Sequence, residues 1–255
     1  MSVFDEVYAD KYDHLYTGKD YKSECDLIEE AIRRFSAGKI SKMIDVGCGT
    51  GEHSIELTVR GYEMCGIDLS QYMINQAALK SEHLHSNKPV WVCGDARSFI
   101  APGKYDAAIM MFAVIGYLTT NAYVIEGLRN IRKHLNKDSL FICDFWYGPS
   151  VLSTRPTDRV RNIKTANGEI VRSASTQLCT EQHTADVTFN LWNFSDDRLI
   201  SKSEETHHLR YFFPKEFELF LTLSGFELLQ ISAFPKLDSK LSDDTWNAFV
   251  VAKAI

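Results

Sequence analysis

The stretch Met43-Ile44-Asp45-Val46-Gly47-Cys48-Gly49-Thr50-Gly51 decides the fold. Its apolar start reads as a buried strand. Its three glycines at alternate positions read as a turn in which the backbone takes positive φ angles and lies directly against a ligand. The spacing is G-x-G-x-G. A dinucleotide fingerprint is G-x-G-x-x-G/A, with a small third residue that packs helix on strand. Glu52 occupies that third position, and it is neither small nor suited to a pyrophosphate. A cofactor with a positive charge and no phosphate fits the turn better.

Outward from this turn, short apolar runs alternate with helical patterns. Strands are predicted at Lys42–Val46, Glu63–Asp68, Val90–Cys93, Tyr105–Met111 and Leu140–Phe145. Continuous apolar runs of this length suit a parallel sheet covered on both faces. A helix is predicted from Asp20 to Ala37, with Cys25, Ile28, Ile32 and Phe35 on one stripe and Gly38 as its stop. Ser70 is the expected N-cap of Gln71–Lys80, and Asn121 the expected cap of a helix burying Val124, Leu128, Ile131 and Leu135. Repeated βα units predict a right-handed, doubly wound α/β sheet.

The pattern changes after Pro149. Strand-like alternation covers Glu169–Thr176, Ala185–Phe194 and Arg198–Arg210, with turn signals at Asn167-Gly168 and Ser195-Asp196-Asp197. This reads as an antiparallel β insertion. The chain then returns to α/β, with Pro214 opening a helix, Gly225 ending it, and strands at Phe226–Phe234 and Asn247–Ala252.

Bulk properties narrow the function. The 255 residues and 45% hydrophobic content allow one large domain with a substantial core. A net charge of -6 without basic runs disfavours nucleic acid. The opening Met1 to Lys22 does not read as a signal peptide, and the longest apolar stretch, Ala107 to Leu118, is too short for a bilayer. The expectation is a cytoplasmic protein without a membrane partner. The six cysteines form no C-x-x-C pair, and neither His83-x-His85 nor His207-His208 is joined by further ligands, so no metal is expected.

Four segments fall at predicted strand ends, where open α/β sheets bind ligands. They are the turn Gly47–Gly51 with Asp45 before it, Asp68 in Gly66-Ile67-Asp68-Leu69-Ser70, Gly94-Asp95-Ala96-Arg97, and Met110-Met111-Phe112-Ala113. An acid at the position of Asp68 can accept both hydroxyls of a ribose, which points to a nucleoside.

At these residues the chain resembles the class I (Rossmann-like) S-adenosylmethionine-dependent methyltransferases. The segments Tyr12-Asp13-His14-Leu15-Tyr16, Lys19-Asp20-Tyr21, Met111–Leu118, Asp144-Phe145-Trp146 and Glu205–Arg210 make the resemblance more particular. They are similar to a small-molecule group that includes nucleotide-amino-sugar N-methyltransferases and relatives of glycine N-methyltransferase. The resemblance implies a seven-stranded, mainly parallel sheet whose last strand is antiparallel, and an N-terminal helical lid. It divides the chain into a lid and first helix (1–38), a cofactor-binding core (39–150), an antiparallel β insertion over the acceptor (151–212) and core completion (213–255).

It also implies roles. Tyr12, Tyr21, Asp45, Gly47, Cys48, Gly49, Asp68, Leu69, Asp95, Ala96 and Met111 would hold S-adenosylmethionine. Asp95 would receive the adenine amino group, and the backbone after the fourth strand would meet the cofactor's ammonium. Tyr117, Trp146 and Arg210 would line the acceptor site, with Arg210 free to pair with a phosphate or carboxylate. His14, Tyr16 and His207 are the candidate catalytic residues, His14 being the most suitable general base.

No Asn/Asp-Pro-Pro-aromatic motif follows the fourth strand, which disfavours nucleic-acid bases as acceptors. The expected activity is methyl transfer to a small polar acceptor, foremost an amine on a sugar or similar scaffold. A hydroxyl or phosphoryl-type oxygen is one alternative, and a non-catalytic cofactor-binding module another. A homodimer stays open.

Overall fold

The computed structural model describes residues 15, 18–84, 87–165, 168–196 and 198–255. Tyr12, His14, Tyr16, His85, Asn167 and Asp197 therefore lie outside the described residues.

The first described helix is α1 (Tyr21–Phe35), followed by β1 (Lys42–Val46), α2 (Glu52–Val59), β2 (Glu63–Asp68), α3 (Gln71–Lys80), β3 (Val90–Cys93) and β4 (Tyr105–Met110). A 3-10 turn (Val114–Tyr117) leads to α4 (Asn121–His134), β5 (Leu135–Trp146) and α5 (Gly148–Thr154). Four strands follow: β6 (Arg159–Thr165), β7 (Gly168–Cys179), β8 (Thr184–Ser195) and β9 (Arg198–Arg210). The chain ends with α6 (Pro214–Leu223), β10 (Phe226–Ala233) and β11 (Asn247–Ala254).

Seven strands form one sheet in the order β10-β11-β5-β4-β1-β2-β3. The pairs β1–β2, β1–β4, β2–β3 and β4–β5 are parallel, while β11 runs antiparallel to both β5 and β10. The last strand is thus antiparallel, as the resemblance implies, and lies between β5 and β10. Alternation assigns each strand two buried faces. Ile44 and Val46, with Ala108 and Met110, pack under α4 and α6. Met43, with Ala107 and Ile109, packs under the α1 stripe of Cys25, Ile28 and Ile32. Apolar side chains on both faces are what a doubly wound sheet requires.

Strands β6, β7, β8 and β9 form a second, wholly antiparallel sheet. It approaches the main sheet at Gly116, where an added Cβ would lie 2.9 Å from the Arg210 carbonyl oxygen. The absence of a side chain there lets the 3-10 turn after β4 pack against the end of β9.

Several local expectations differ, and β6 is not among the strands that the sequence predicts. Thr120, not Asn121, caps α4: its hydroxyl accepts from the Tyr123 N–H at 3.1 Å, and Asn121 is the first helical residue. Met111 falls outside β4, because the backbone turns to positive φ at Phe112 and Ala113. β5 begins at Leu135 rather than Leu140, since polar residues 136–138 bridge an irregularity between the pairs Leu135–Tyr105 and Leu140–Ala107.

Candidate functional site

The strand ends converge on one cavity of about 1230 Å3. Pockets for a single small ligand hold roughly 300–1,000 Å3, so this one has room for a cofactor and an acceptor together. Its floor is the carboxyl edge of the main sheet: Gly47 and Gly49 after β1, Asp68 and Leu69 at β2, Asp95 and Ala96 after β3, Met110 and Phe112 at β4, and Trp146 at the end of β5. Its roof is one face of the antiparallel sheet.

The glycine turn is locked to β2. The Gly47 and Cys48 N–H groups both donate to the Ile67 carbonyl, at 2.7 and 2.9 Å. The Gly49 N–H donates to Oδ2 of Asp68, and the Ser70 N–H to Oδ1, each at 2.8 Å. Each carboxylate oxygen keeps a further lone pair for a ligand hydroxyl. Burial pushes the Asp68 carboxyl up, and the two backbone donors oppose that. Gly49 has φ 54°, and a Cβ built on it would meet nothing within 4 Å. Bare backbone, an oriented carboxylate and open space beside them fit a nucleoside cofactor lying on the turn.

The adenine-side acid lines the cavity with its carboxylate already engaged. Asp95 is clamped by Arg97, whose Nε and NH2 donate at 2.9 and 2.5 Å, and by the Arg97 N–H at 2.8 Å. These bonds hold its carboxyl below the usual range. The Arg97 guanidinium in turn lies 4.2 Å over the Tyr123 ring. Beside this clamp, Leu69 exposes 71% of its surface, an apolar face suited to a flat base.

Asp45 does not line the cavity. It is 2% exposed, accepts from the Ser54 hydroxyl at 2.7 Å, and is pushed up by burial. Cys48 is buried beneath the turn, with the Cβ position of Gly66 2.9 Å from its sulfur. Cys48 is not among the residues that line the cavity. Met111 is likewise a core side chain, 3% exposed and packed with the α1 cluster. Its neighbours Met110, Phe112, Ala113 and Val114 line the cavity instead. Phe112 and Ala113 hold positive φ angles of 70° and 55°, a costly conformation for residues with side chains. The buried Asp144 carboxylate holds it in place by accepting from the Ala113 N–H at 3.0 Å.

Tyr21 stands behind the cavity wall, edge-on to His53 at 5.1 Å. Lys19 takes the position facing the cavity. Its ammonium lies over both Tyr21 and Phe112, at 4.4 and 4.2 Å, and pairs with Glu24 at 2.6 Å.

On the acceptor side, Tyr117, Trp146 and His207 line the cavity. Arg210 does not. It pairs with Glu216 at the start of α6 and lies 5.1 Å over both Phe212 and Phe220. Strand alternation explains the difference, because residues 207 and 210 fall on opposite faces of β9. Arg210→Ala should therefore lower Tm and leave acceptor KM unchanged. A raised KM at constant Tm would return this side chain to the cavity.

Arg159, Arg161 and Arg172 supply the positive charge that was expected of Arg210. Arg161 stands directly opposite Arg172 across β6 and β7, and like charges so placed repel. Among the described residues, Arg159 and Arg161 form no ion pair. Sequence parity could have found them: residues 159 and 161 share one strand face.

Among the described residues, no three His, Cys, Asp or Glu side chains group to hold a metal ion. The cysteines are free, and burial pushes the Cys25 thiol up to about 12. Among the described residues, no helix is long and apolar enough to cross a membrane.

Residues 43–138 match a family model described as a methyltransferase domain. A Streptomyces venezuelae enzyme named dTDP-3-amino-3,4,6-trideoxy-alpha-D-glucopyranose N,N-dimethyltransferase is 26% identical over 243 residues, covering 91% of this chain and 95% of that protein. Among solved structures, an S-adenosylmethionine-dependent methyltransferase from Clostridium acetobutylicum superposes with a TM-score of 0.83 at 18% identity, covering 96% of this chain and 98% of that one. Streptomyces venezuelae DesVI superposes with a TM-score of 0.79 at 19% identity over the whole of both chains. The architecture is that of the class I, Rossmann-like methyltransferases. With the domain match and the curated relative, the chain is an S-adenosylmethionine-dependent methyltransferase.

Proposed function

We propose that this enzyme methylates an amine on a small polar acceptor, a sugar or similar scaffold. The observation that carries the reading is the single cavity, which joins the strand-end cofactor stations to a polar, arginine-bearing roof. The relative that methylates a nucleotide-linked amino sugar supports the same acceptor class.

Bound S-adenosylmethionine supplies a methyl group already activated on a sulfonium. The protein's own work is to position and to exclude water. In this reading Gly47 and Gly49 offer backbone to the cofactor, Asp68 takes the ribose hydroxyls, and Leu69 and Ala96 flank the base. Asp95 acts through its Arg97 clamp rather than as an open acceptor. Asp45 and Cys48 shape the turn from beneath, and Met111 contributes backbone alone. Tyr117 and Trp146 wall the acceptor, while Arg159 and Arg161 draw an anionic part of it toward the roof. Tyr12, His14 and Tyr16 keep their proposed lid and base roles as expectations outside the described residues.

The test is release of S-adenosyl-homocysteine with dTDP-3-amino-3,4,6-trideoxy-alpha-D-glucopyranose, glucosamine and hydroxyl-only analogues of each. Turnover restricted to amines is the expected result, with the new methyl on nitrogen by NMR. Turnover restricted to hydroxyls would move the activity to the oxygen-acceptor alternative. The double substitution Arg159→Ala and Arg161→Ala should raise KM for the dTDP-linked acceptor about tenfold or more, the loss of one to two charge-assisted contacts. KM for glucosamine, which carries no phosphate, should stay unchanged.

A further inference from the structure

Tyr117 and His207 come from distant parts of the chain and meet at the cavity wall. The Tyr117 hydroxyl lies 2.7 Å from Nδ1 of His207. Behind the imidazole, Glu205 brings its Oε2 to 3.4 Å from Nε2. The imidazole and the carboxylate are deeply buried, with side-chain exposures of 3% and 9%. Phenol, imidazole and carboxylate thus form one contiguous set at the cavity wall. Tyr117 and His207 line the cavity and Glu205 backs them.

The register of the antiparallel sheet fixes this arrangement. His207 stands opposite Val187 and Glu205 opposite Phe189. The Phe189 ring packs edge-on against the imidazole at 5.1 Å and holds its plane. Among the described residues, the charged and titratable groups facing His207 include Tyr117 from the 3-10 turn and Glu205 on its own strand. Arg172 lies beyond Phe189, 4.3 Å over that ring.

The partners choose the tautomer. The Glu205 carboxylate, 3.4 Å from Nε2 and short of a hydrogen bond, favours an N–H there by its charge, which leaves the Nδ1 lone pair for the tyrosine hydroxyl. Neither oxygen of Glu205 accepts a hydrogen bond among the described residues. A buried carboxylate in that state is costly unless a positive charge faces it. A proton arriving at Nδ1 creates that charge.

We infer that Tyr117, His207 and Glu205 form a proton relay that deprotonates the acceptor. This rests on the amine reading above for the identity of the proton donor. One proton leaves the acceptor ammonium, whose N–H bond breaks as the proton passes to the Tyr117 oxygen. The Tyr117 O–H proton passes in turn to Nδ1 of His207. Tyrosine is unchanged overall, the imidazole becomes imidazolium, and Glu205 stays a carboxylate. The lone pair left on nitrogen is the nucleophile that methyl transfer requires. Tyr117 is the catalytic residue, and Glu205 is a positioning residue that acts through His207.

Nitrogen-15 NMR of the imidazole in the full chain saturated with S-adenosyl-homocysteine tests this without an acceptor. The expected spectrum is the Nε2–H tautomer, with Tyr117→Phe moving the Nδ1 resonance. Glu205→Gln should lose the preference for the Nε2–H tautomer, and Glu205→Asp should restore part of it. With the dTDP-linked amine as acceptor, Tyr117→Phe should cut kcat about 10²-fold or more while the affinity for S-adenosyl-homocysteine holds. A spectrum in the Nδ1–H form, or a tautomer that Glu205→Gln leaves unchanged, overturns the relay. Absence of turnover on every amine, with the NMR signatures intact, overturns the acceptor class instead and supports the relay's geometry.

Discussion

Asp68→Ala should weaken binding of S-adenosyl-homocysteine by about 10²–10³-fold in calorimetry. The carboxylate sits at the end of β2 and already anchors two backbone donors, the Gly49 and Ser70 N–H groups. Those bonds fix its plane, so its remaining lone pairs point into the cavity without further cost of ordering. Two charge-assisted bonds to a ribose are worth about 1.5–3 kcal/mol each. Alanine removes them and leaves both N–H groups unsatisfied beside the ligand. Asp68→Asn keeps the shape and one acceptor oxygen, and should fall between. Affinity unchanged in the alanine variant would remove Asp68 from the cofactor site.

The same residue predicts a pH dependence. Burial raises the Asp68 carboxyl above its ordinary value. It therefore takes up its proton at a pH above the usual carboxylate range, and ligand affinity should start to fall there on acidification. In Asp68→Asn this acid limb should vanish. The sign for stability is opposite to that of Asp95. A raised carboxyl binds its proton more tightly folded than unfolded, so ionised Asp68 opposes folding as pH rises through its folded value. Arg97 holds Asp95 low, and that pair's contribution is present at neutral pH and lost as pH falls through the lowered value.

Much of the floor of this site was legible in the sequence, because the constraints there are local. β1, β2 and β3 have the bounds that their apolar runs predict. Alternate glycines required positive φ, and Gly47, Gly49 and Gly51 all have it. What escaped depends on tertiary partners. Thr120 and Asn121 are both capable caps, and only the extended backbone at Thr120 decides between them. Asp45 lies on the strand face under α2, where Ser54 reaches it. Lys19 belongs to the segment Lys19-Asp20-Tyr21, which carries no role for it in sequence, and reaches the cavity because Glu24, Tyr21 and Phe112 hold its ammonium. Arg210 could have been excluded by parity, since a residue three positions from His207 cannot share its strand face.

Gly49→Ala should abolish most cofactor binding while the fold survives, and Gly103→Ala supplies the matched control. Both glycines have positive φ, 54° and 80°, and an added Cβ meets nothing within 4 Å at either. Each substitution therefore carries the same kind of backbone strain, about 1–2 kcal/mol for a left-handed residue with a side chain. Both variants should lose a few degrees of Tm. They differ in what the open space is for. At Gly49 it belongs to the cavity, next to the N–H that binds Asp68. At Gly103 it belongs to the exposed turn before β4. A methyl group at Gly49 stands where the ligand approaches the backbone, and it disturbs the aim of the Asp68 carboxylate as well. Loss of affinity for S-adenosyl-homocysteine should reach about 10²-fold, the cost of one displaced contact and one loosened charge-assisted bond. Gly103→Ala should bind normally. Equal losses in the two variants would mean that strain alone, and not a ligand lying on the turn, explains the glycine at position 49.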